Sequence, residues 1–223
     1  MELRPPFHEQ DGQIAVDLPC ARAIFTTRSW GDVRETHEQI GERLNLKLVA
    51  AHQAHGSNVM TADSASNTAE AEADAIVTAT HGIGPMVVTA DCLPIVIAAP
   101  RAVGAVHAGW RGLDSGVIGK AVAAVRELAG GGVMHAAIGP GAGACCYEVG
   151  DDLHRRFNAH CQDFRSGRNL DLKAIARVQL MEAGVARIHD TGICTICGDP
   201  DLTFSYRREG GETGRQAAVA WLS

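Results

Sequence analysis

The chain has 223 residues, 46% hydrophobic and 21% charged, values that suit a globular fold and exclude long disorder. Its formal net charge of −6 excludes bulk nucleic-acid binding, which needs a basic face, but leaves room for a few arginines around a small anion. No window approaches the roughly 18 uninterrupted apolar residues of a membrane span, and the opening MELRPPFHEQDGQ lacks the apolar core of a secretory signal. The expected setting is a reducing cytoplasm with no membrane partner. There the seven cysteines read as thiols or metal ligands rather than a disulfide framework.

In chain order, residues 14–18 and 23–28 read as strands and 32–46 as a polar-faced helix. Strands at 48–53 and 58–62 bracket a turn at His55-Gly56-Ser57. The runs 74–79, 86–90, 95–99 and 103–108 are almost continuously apolar, as strands covered on both faces are. Pro100-Arg101 marks a turn between the last two. Asp114 or Ser115 can cap a helix whose Val117, Ile118, Ala121, Val122, Val125 and Leu128 recur at helical spacing. Gly130-Gly131-Gly132 stops it. Residues 133–140 and 145–150 read as strands around a glycine-rich turn, followed by a helix near 151–160. Residues 170–184 form an amphipathic helix ending at Gly184, and RIHD (187–190) and TFSYRR (203–208) read as late strands. Regular β-α alternation is missing. The order predicts an α+β fold with mixed β-sheets and helices packed outside, layered as a single domain over residues 1–223.

One Cys and two His make a sound catalytic zinc set, with the fourth position left to water or substrate. His55, Cys92 and His107 are the candidates. A simple hairpin turning at Pro100-Arg101 puts His107 opposite about residue 94, so Cys92 becomes a diagonal neighbour on the same face. Spacing alone does not bring in His55. Asp91, beside Cys92, reads as an acid–base group, an acceptor behind the metal or a turn cap. Arg111 follows His107 in a Gly-Trp-Arg-Gly loop whose glycines let a ligand approach, and guanidinium matches phosphate. Arg207, Arg208 and Arg215 form a second cationic cluster; His135 and His189 read as structural. Cys194 and Cys197 form a Cys-x-x-Cys, a redox pair or half a zinc site with no second such pair to complete it. Of adjacent Cys145 and Cys146, one at most faces a given site from a strand. Without metal, Cys92 activated by His107 would suit a hydrolase. A domain with a closed structural zinc that recruits a partner is the non-enzymatic alternative.

The blocks QAHGSNV (53–59), ADCLPIVI (90–97), VGAVHAGWRGL (103–113), IGPGAGACCYEVG (138–150) and FSYRREGGETGRQAA (204–218) together resemble the YfiH-like laccase-domain family (DUF152). That group was formerly labelled polyphenol oxidase and is now recognised as purine nucleoside phosphorylases. The resemblance implies a zinc held by His55, Cys92 and His107; read from their own positions beside those ligands, Asp91 and Arg111 are the catalytic candidates. It implies phosphorolysis of adenosine, inosine and methylthioadenosine, plus adenosine deamination, with nucleoside and inorganic phosphate as partners. One branch resembles a peptidoglycan-precursor editing factor. A laccase-type copper centre would need many more histidines, although copper can displace zinc from such a site in vitro. The family's N-terminal Gly-Gly-x-Ser loop is missing; RSWGDVRETHEQIGERLNL (28–46) stands there instead.

Overall fold

Strands whose every side chain is apolar have two faces to hide, and the centre of this molecule is built from them. The computed structural model describes residues 3–65, 71–157 and 163–223. In chain order its strands are β1 (Phe7–Gln10), β2 (Gln13–Leu18), β3 (Ala21–Phe25), β4 (Lys47–Val49), β5 (Val59–Thr61), β6 (Ala75–Thr78) and β7 (Ile83–Thr89). They continue with β8 (Leu93–Ala99), β9 (Ala102–Ala108), β10 (His135–Ile138), β11 (Arg165–Ser166), β12 (Asn169–Leu170), β13 (Arg187–Asp190) and β14 (Gln216–Leu222). The helices are α1 (Val33–Leu44), α2 (Trp110–Asp114), α3 (Val117–Ala129), α4 (Asp151–Phe157) and α5 (Leu172–Glu182).

One large sheet runs β1-β2-β3-β14-β7-β4 and the other β13-β10-β8-β9-β6-β5, with β11 and β12 forming a small two-stranded sheet of their own. Both are mixed: β4–β7, β5–β6 and β10–β13 pair parallel, whereas the hairpins pair antiparallel. The sheets pack face to face through Phe25, Val87, Ala218 and Ala220 on one side and Val96, Ala98, Val103 and Ala105 on the other. Along β8, Val96 and Ala98 face the other sheet while Ile95 and Ile97 face α3 and α5, so the strand's period of two serves two cores. Each such fully buried Ile stabilises the fold by about 2 kcal/mol. On the far side, α1 covers the first sheet with Val33 and Ile40. The result is four layers, helix–sheet–sheet–helices, in agreement with the expected mixed sheets and outer helices.

Close packing demands glycine where the layers meet. A Cβ on Gly139 would lie 2.3 Å from the Phe25 ring. Local signals act as expected at α1, where Asp32 accepts from Arg34 N at 3.0 Å and Asn45 closes the end in the left-handed conformation.

Several expectations need correction. Residues 145–150 are not a strand: Cys146 N and Tyr147 N both return to Gly143 O at 3.0 Å, coiling the segment into a turn. Residues 203–208 are not a strand either: 203–205 are irregular and 206–208 lie in a turn closed by Glu209 N donating to Ser205 O. The Gly-Trp-Arg-Gly segment is helical rather than a loop, since Leu113 N donates to Gly109 O at 2.9 Å, and α3 starts from Gly116 instead of Asp114 or Ser115. The strands β1 and β14 were not among the expected elements. The helix near 151–160 runs from Asp151 to Phe157, and its expected end falls outside the described residues. Among the described residues no helix is long and apolar enough to cross a membrane.

Candidate metal centre

Two adjacent strands and one loop bring three donors together. In the β8–β9 hairpin His107 lies opposite Pro94, the register expected from the Pro100-Arg101 turn, and Cys92 stands at the mouth of β8. His55 arrives from the loop between β4 and β5 with a left-handed φ of 61°. One ligand atom from each of His55, Cys92 and His107 lies within 4.8 Å of the others. The two imidazoles meet edge to face with centroids 4.7 Å apart. The chain passes this cluster at Gly109, where a Cβ would sit 2.9 Å from Cys92 Sγ and 3.4 Å from the His55 ring.

What holds the donors is Asp74, which was not among the expected site residues. It sits just before β6 and is 1% exposed. Its Oδ1 accepts from His107 Nδ1 at 2.7 Å and His55 N at 3.0 Å, and its Oδ2 accepts from Gly56 N at 2.7 Å. Its own carbonyl accepts from His107 N at 2.7 Å. A carboxylate at the head of the apolar run AIVT is the one sequence signal that could have found it, because such a charge goes underground only with partners. With Nδ1 bound to Asp74, His107 presents Nε2 to the site, as a metal-binding histidine backed by carboxylate does.

In the metal-free site Cys92 and His107 form an ion pair, and a metal bound there would displace the His107 Nε2 proton. Burial opposes ionisation of Asp74, but hydrogen bonds from His107 and the Gly56 and His55 amides hold its carboxyl below the usual range. Burial likewise opposes a Cys92 thiolate, yet hydrogen bonding by His107 and His55 pulls the thiol down to about 6. His107 loses solvation, but Asp74 and Cys92 push it up to about 9. A sulfur poised as thiolate beside two imidazoles is the donor set that zinc takes. The residues therefore fit a zinc ion.

The donors open into a cleft of about 880 Å³. Arg34, Arg111, Arg207 and Arg215 line it, together with Trp110, Tyr147 and Tyr206. Arg111 lies 4.4 Å over Trp110 and has no carboxylate partner among the described residues. Arg207 rests on Tyr147 at 4.8 Å and donates to Glu148 O at 3.0 Å. Arg208, grouped with these from sequence, turns away to the Thr195 and Thr203 carbonyls and to Glu209. Asp91 reaches the cleft wall, but its carboxylate accepts from Thr195 Oγ1 at 2.6 Å, Ser205 Oγ at 2.7 Å and Arg207 N at 2.7 Å. His135 and His189 lie on β10 and β13 and do not line the cleft.

The Cys194–Cys197 pair does find partners. The turn at 143–147 points both Cys145 and Cys146 at it, and the four sulfurs lie within 4.8 Å of one another.

Known proteins share this chain's sequence and architecture. The family model described as multi-copper polyphenol oxidoreductase laccase matches residues 28–223. A Xylella fastidiosa protein named purine nucleoside phosphorylase is 39% identical over 208 residues, covering 85% of this chain and 78% of its own length. A protein of the same name from Deinococcus radiodurans is 39% identical over 182 residues, 77% of this chain and 68% of its own. Among solved structures, YlmD from Geobacillus stearothermophilus superposes with a TM-score of 0.86 at 27% identity, covering 97% of this chain and 98% of that one. The Neisseria meningitidis protein NMB0706 gives 0.81 at 31% identity, over 96% and 100%. The chain belongs to this laccase-like family, whose curated relatives include proteins named purine nucleoside phosphorylase.

Proposed function

We propose that the chain, as one catalytic domain over residues 1–223, is a cytoplasmic zinc-dependent purine nucleoside phosphorylase acting on adenosine, inosine and methylthioadenosine, with a secondary adenosine deaminase activity. The observation that carries this reading is the meeting of His55, Cys92 and His107 at the floor of a cleft walled by Arg34, Arg111, Arg207 and Arg215. Relatives named for the same activity support it.

Arg111, free of carboxylates, binds phosphate and neutralises charge as the glycosidic bond breaks. Arg207 and Arg215 extend that cationic wall, and Asp91 acts as a positioning residue by holding the Arg207 backbone. Trp110, Tyr147 and Tyr206 each carry an arginine over the ring, Arg111, Arg207 and Arg215, and these stacked pairs form the wall against which a purine nucleoside would lie. Asp74 keeps a proton on His107 Nδ1 and so keeps Nε2 turned to the site. A bound zinc supplies Lewis-acid polarisation of a substrate oxygen and, for deamination, activation of water.

The test is product analysis of adenosine incubated with zinc-loaded protein across phosphate concentrations. Adenine release should rise with phosphate, and Arg111→Ala should cut it by about 2–4 kcal/mol in barrier terms while zinc content stays unchanged. Adenine release that is independent of phosphate, or equal loss of adenine and inosine formation in Arg111→Ala, would overturn the phosphate role.

One further observation favours a second reading. Cys92, His107 and Asp74 form a connected thiol–imidazole–carboxylate chain, the order a metal-free cysteine hydrolase uses. Full activity after zinc removal would select it, with cell-wall precursors as substrates to try.

A further inference from the structure

The cysteines outside the cleft are arranged in a way that packing does not explain. Cys145 and Cys197 are exposed, Cys146 is half-buried and only Cys194 is buried. Exposed thiols gain nothing from one another by hydrophobic burial, yet all four sulfurs converge within 4.8 Å, with Cys145 Sγ 3.4 Å from Cys197 Sγ. The edge of a zinc tetrathiolate, with Zn–S of about 2.3 Å, is about 3.8 Å. Polynuclear iron–sulfur clusters need a wider set of cysteines, because several irons and bridging sulfides lie between them.

The backbone is shaped to the same end. In Cys194-Thr-Ile-Cys197-Gly198 the chain folds back so that Gly198 N donates to Cys194 O at 2.9 Å. A Cβ on Gly198 would stand 2.3 Å from that oxygen, so the turn admits only glycine. Cys194 Sγ accepts from Gly143 N at 3.3 Å and from the Ile196 and Cys197 amides. Amides aimed at sulfur stabilise a thiolate. On the opposite side Gly143 lets the chain pass Cys194 closely, since a Cβ there would lie 3.1 Å from Cys194 Cβ and 3.1 Å from Cys145 Sγ. The two loops are laced by Thr195 N to Gly141 O at 3.1 Å and Gly141 N to Ile193 O at 3.3 Å.

We propose that Cys145, Cys146, Cys194 and Cys197 hold a second zinc ion in a closed tetrathiolate site that has no place for substrate. Binding displaces the thiol protons to solvent and no electron moves. The ion ties the turn at 143–147 to the turn at 194–198. It thereby fixes Tyr147, which follows Cys146, and Thr195, whose hydroxyl holds Asp91 and through it the Arg207 amide. The site is independent of what binds at His55, Cys92 and His107.

Elemental analysis of full-length protein, expressed with zinc and purified under reducing conditions, tests this. Wild type should carry two zinc ions per chain, Cys92→Ala one, and the double variant Cys194→Ser with Cys197→Ser one. Should that double variant fail to fold, cobalt added to metal-depleted Cys92→Ala protein gives the second readout. Intense sulfur-to-cobalt charge-transfer absorption, with the visible bands of a tetrahedral four-sulfur ion, is expected. A single zinc in wild type that Cys92→Ala abolishes overturns the proposal. So does a cobalt spectrum without thiolate bands, or a disulfide among the four cysteines in the reduced preparation.

Discussion

Replacing Asp74 by Asn tests whether the carboxylate, rather than the fold alone, organises the donors. Three N–H groups point at Asp74, two at Oδ1 and one at Oδ2. An asparagine has one oxygen. If it keeps that oxygen towards His107 and His55, its amide nitrogen opposes Gly56 N–H, and a buried donor loses its acceptor at a cost of about 1–3 kcal/mol. The negative charge behind His107 is lost as well, and removing such a partner typically weakens metal binding by about 10–100-fold. Zinc affinity, read by competition with a chromophoric chelator, should fall within that range. The metal-free protein should melt about 4–8 °C lower, since about 2 kcal/mol in a chain of this size corresponds to roughly 2–4 °C per kcal/mol. A lower melting temperature with zinc affinity within twofold of wild type would show that Asp74 serves only the loop, and the account of His107 would be wrong.

Gly109→Ala should lower zinc affinity with all ligands present, because its methyl would press on Cys92 Sγ at 2.9 Å; equal affinity by the same competition would show that the hairpin mouth yields freely. Glu209 gives a pH test: burial opposes its charge, but hydrogen bonds from Thr213, Arg28 and Arg208 outweigh that and hold it at about 2. A carboxyl lowered in the fold contributes stability above its unfolded value, near 4.5, and that contribution fades as pH falls towards 2. With the side chain 24% exposed and screening allowed for, Glu209→Gln should cost about 2 kcal/mol at neutral pH and flatten the acid limb of denaturation, followed by urea melts at several pH values. Ile97→Ala, in the middle of β8 and wholly buried, should cost about 3–4 kcal/mol by the same melts, and a loss below about 1 would mean that the helix layer collapses onto the gap.

The parts of the fold that could be read in the sequence are those whose signals are local. Continuous apolar runs marked β6 to β9, and Pro100-Arg101 set the hairpin register that places Cys92 diagonal to His107. The arrival of His55 could not be read from spacing, because it depends on Asp74 gripping two amides of a distant loop. Cys145 and Cys146 looked like strand residues by composition, but the Gly143 carbonyl captures the next turn's amides and coils the segment instead. The strand Gln216–Leu222 has an unbroken apolar run whose partners, β3 and β7, lie far back along the chain, so nothing nearby announces its pairing. Among the late arginines, sequence proximity grouped Arg208 with Arg207 and Arg215. Backbone carbonyls at Thr195 and Thr203 separate their roles.

The placement of β14 between β3 and β7 has a consequence for biosynthesis. While a ribosome is still translating, the N-terminal meander β1–β2–β3 presents an open edge at β3, and β7 presents another, with neither able to reach its neighbour. Residues 216–222 must leave the exit tunnel before the gap closes. In the second sheet, β5, β6, β8 and β9 are all synthesised by Ala108 and meet no such delay. Those four strands can therefore pair while roughly the second half of the chain is still being made, although β13 joins the same sheet only after Arg187–Asp190 is synthesised. During that interval Phe25 and Val87 have no Ala218 to cover them, and the unpaired edges are the surfaces through which nascent chains self-associate.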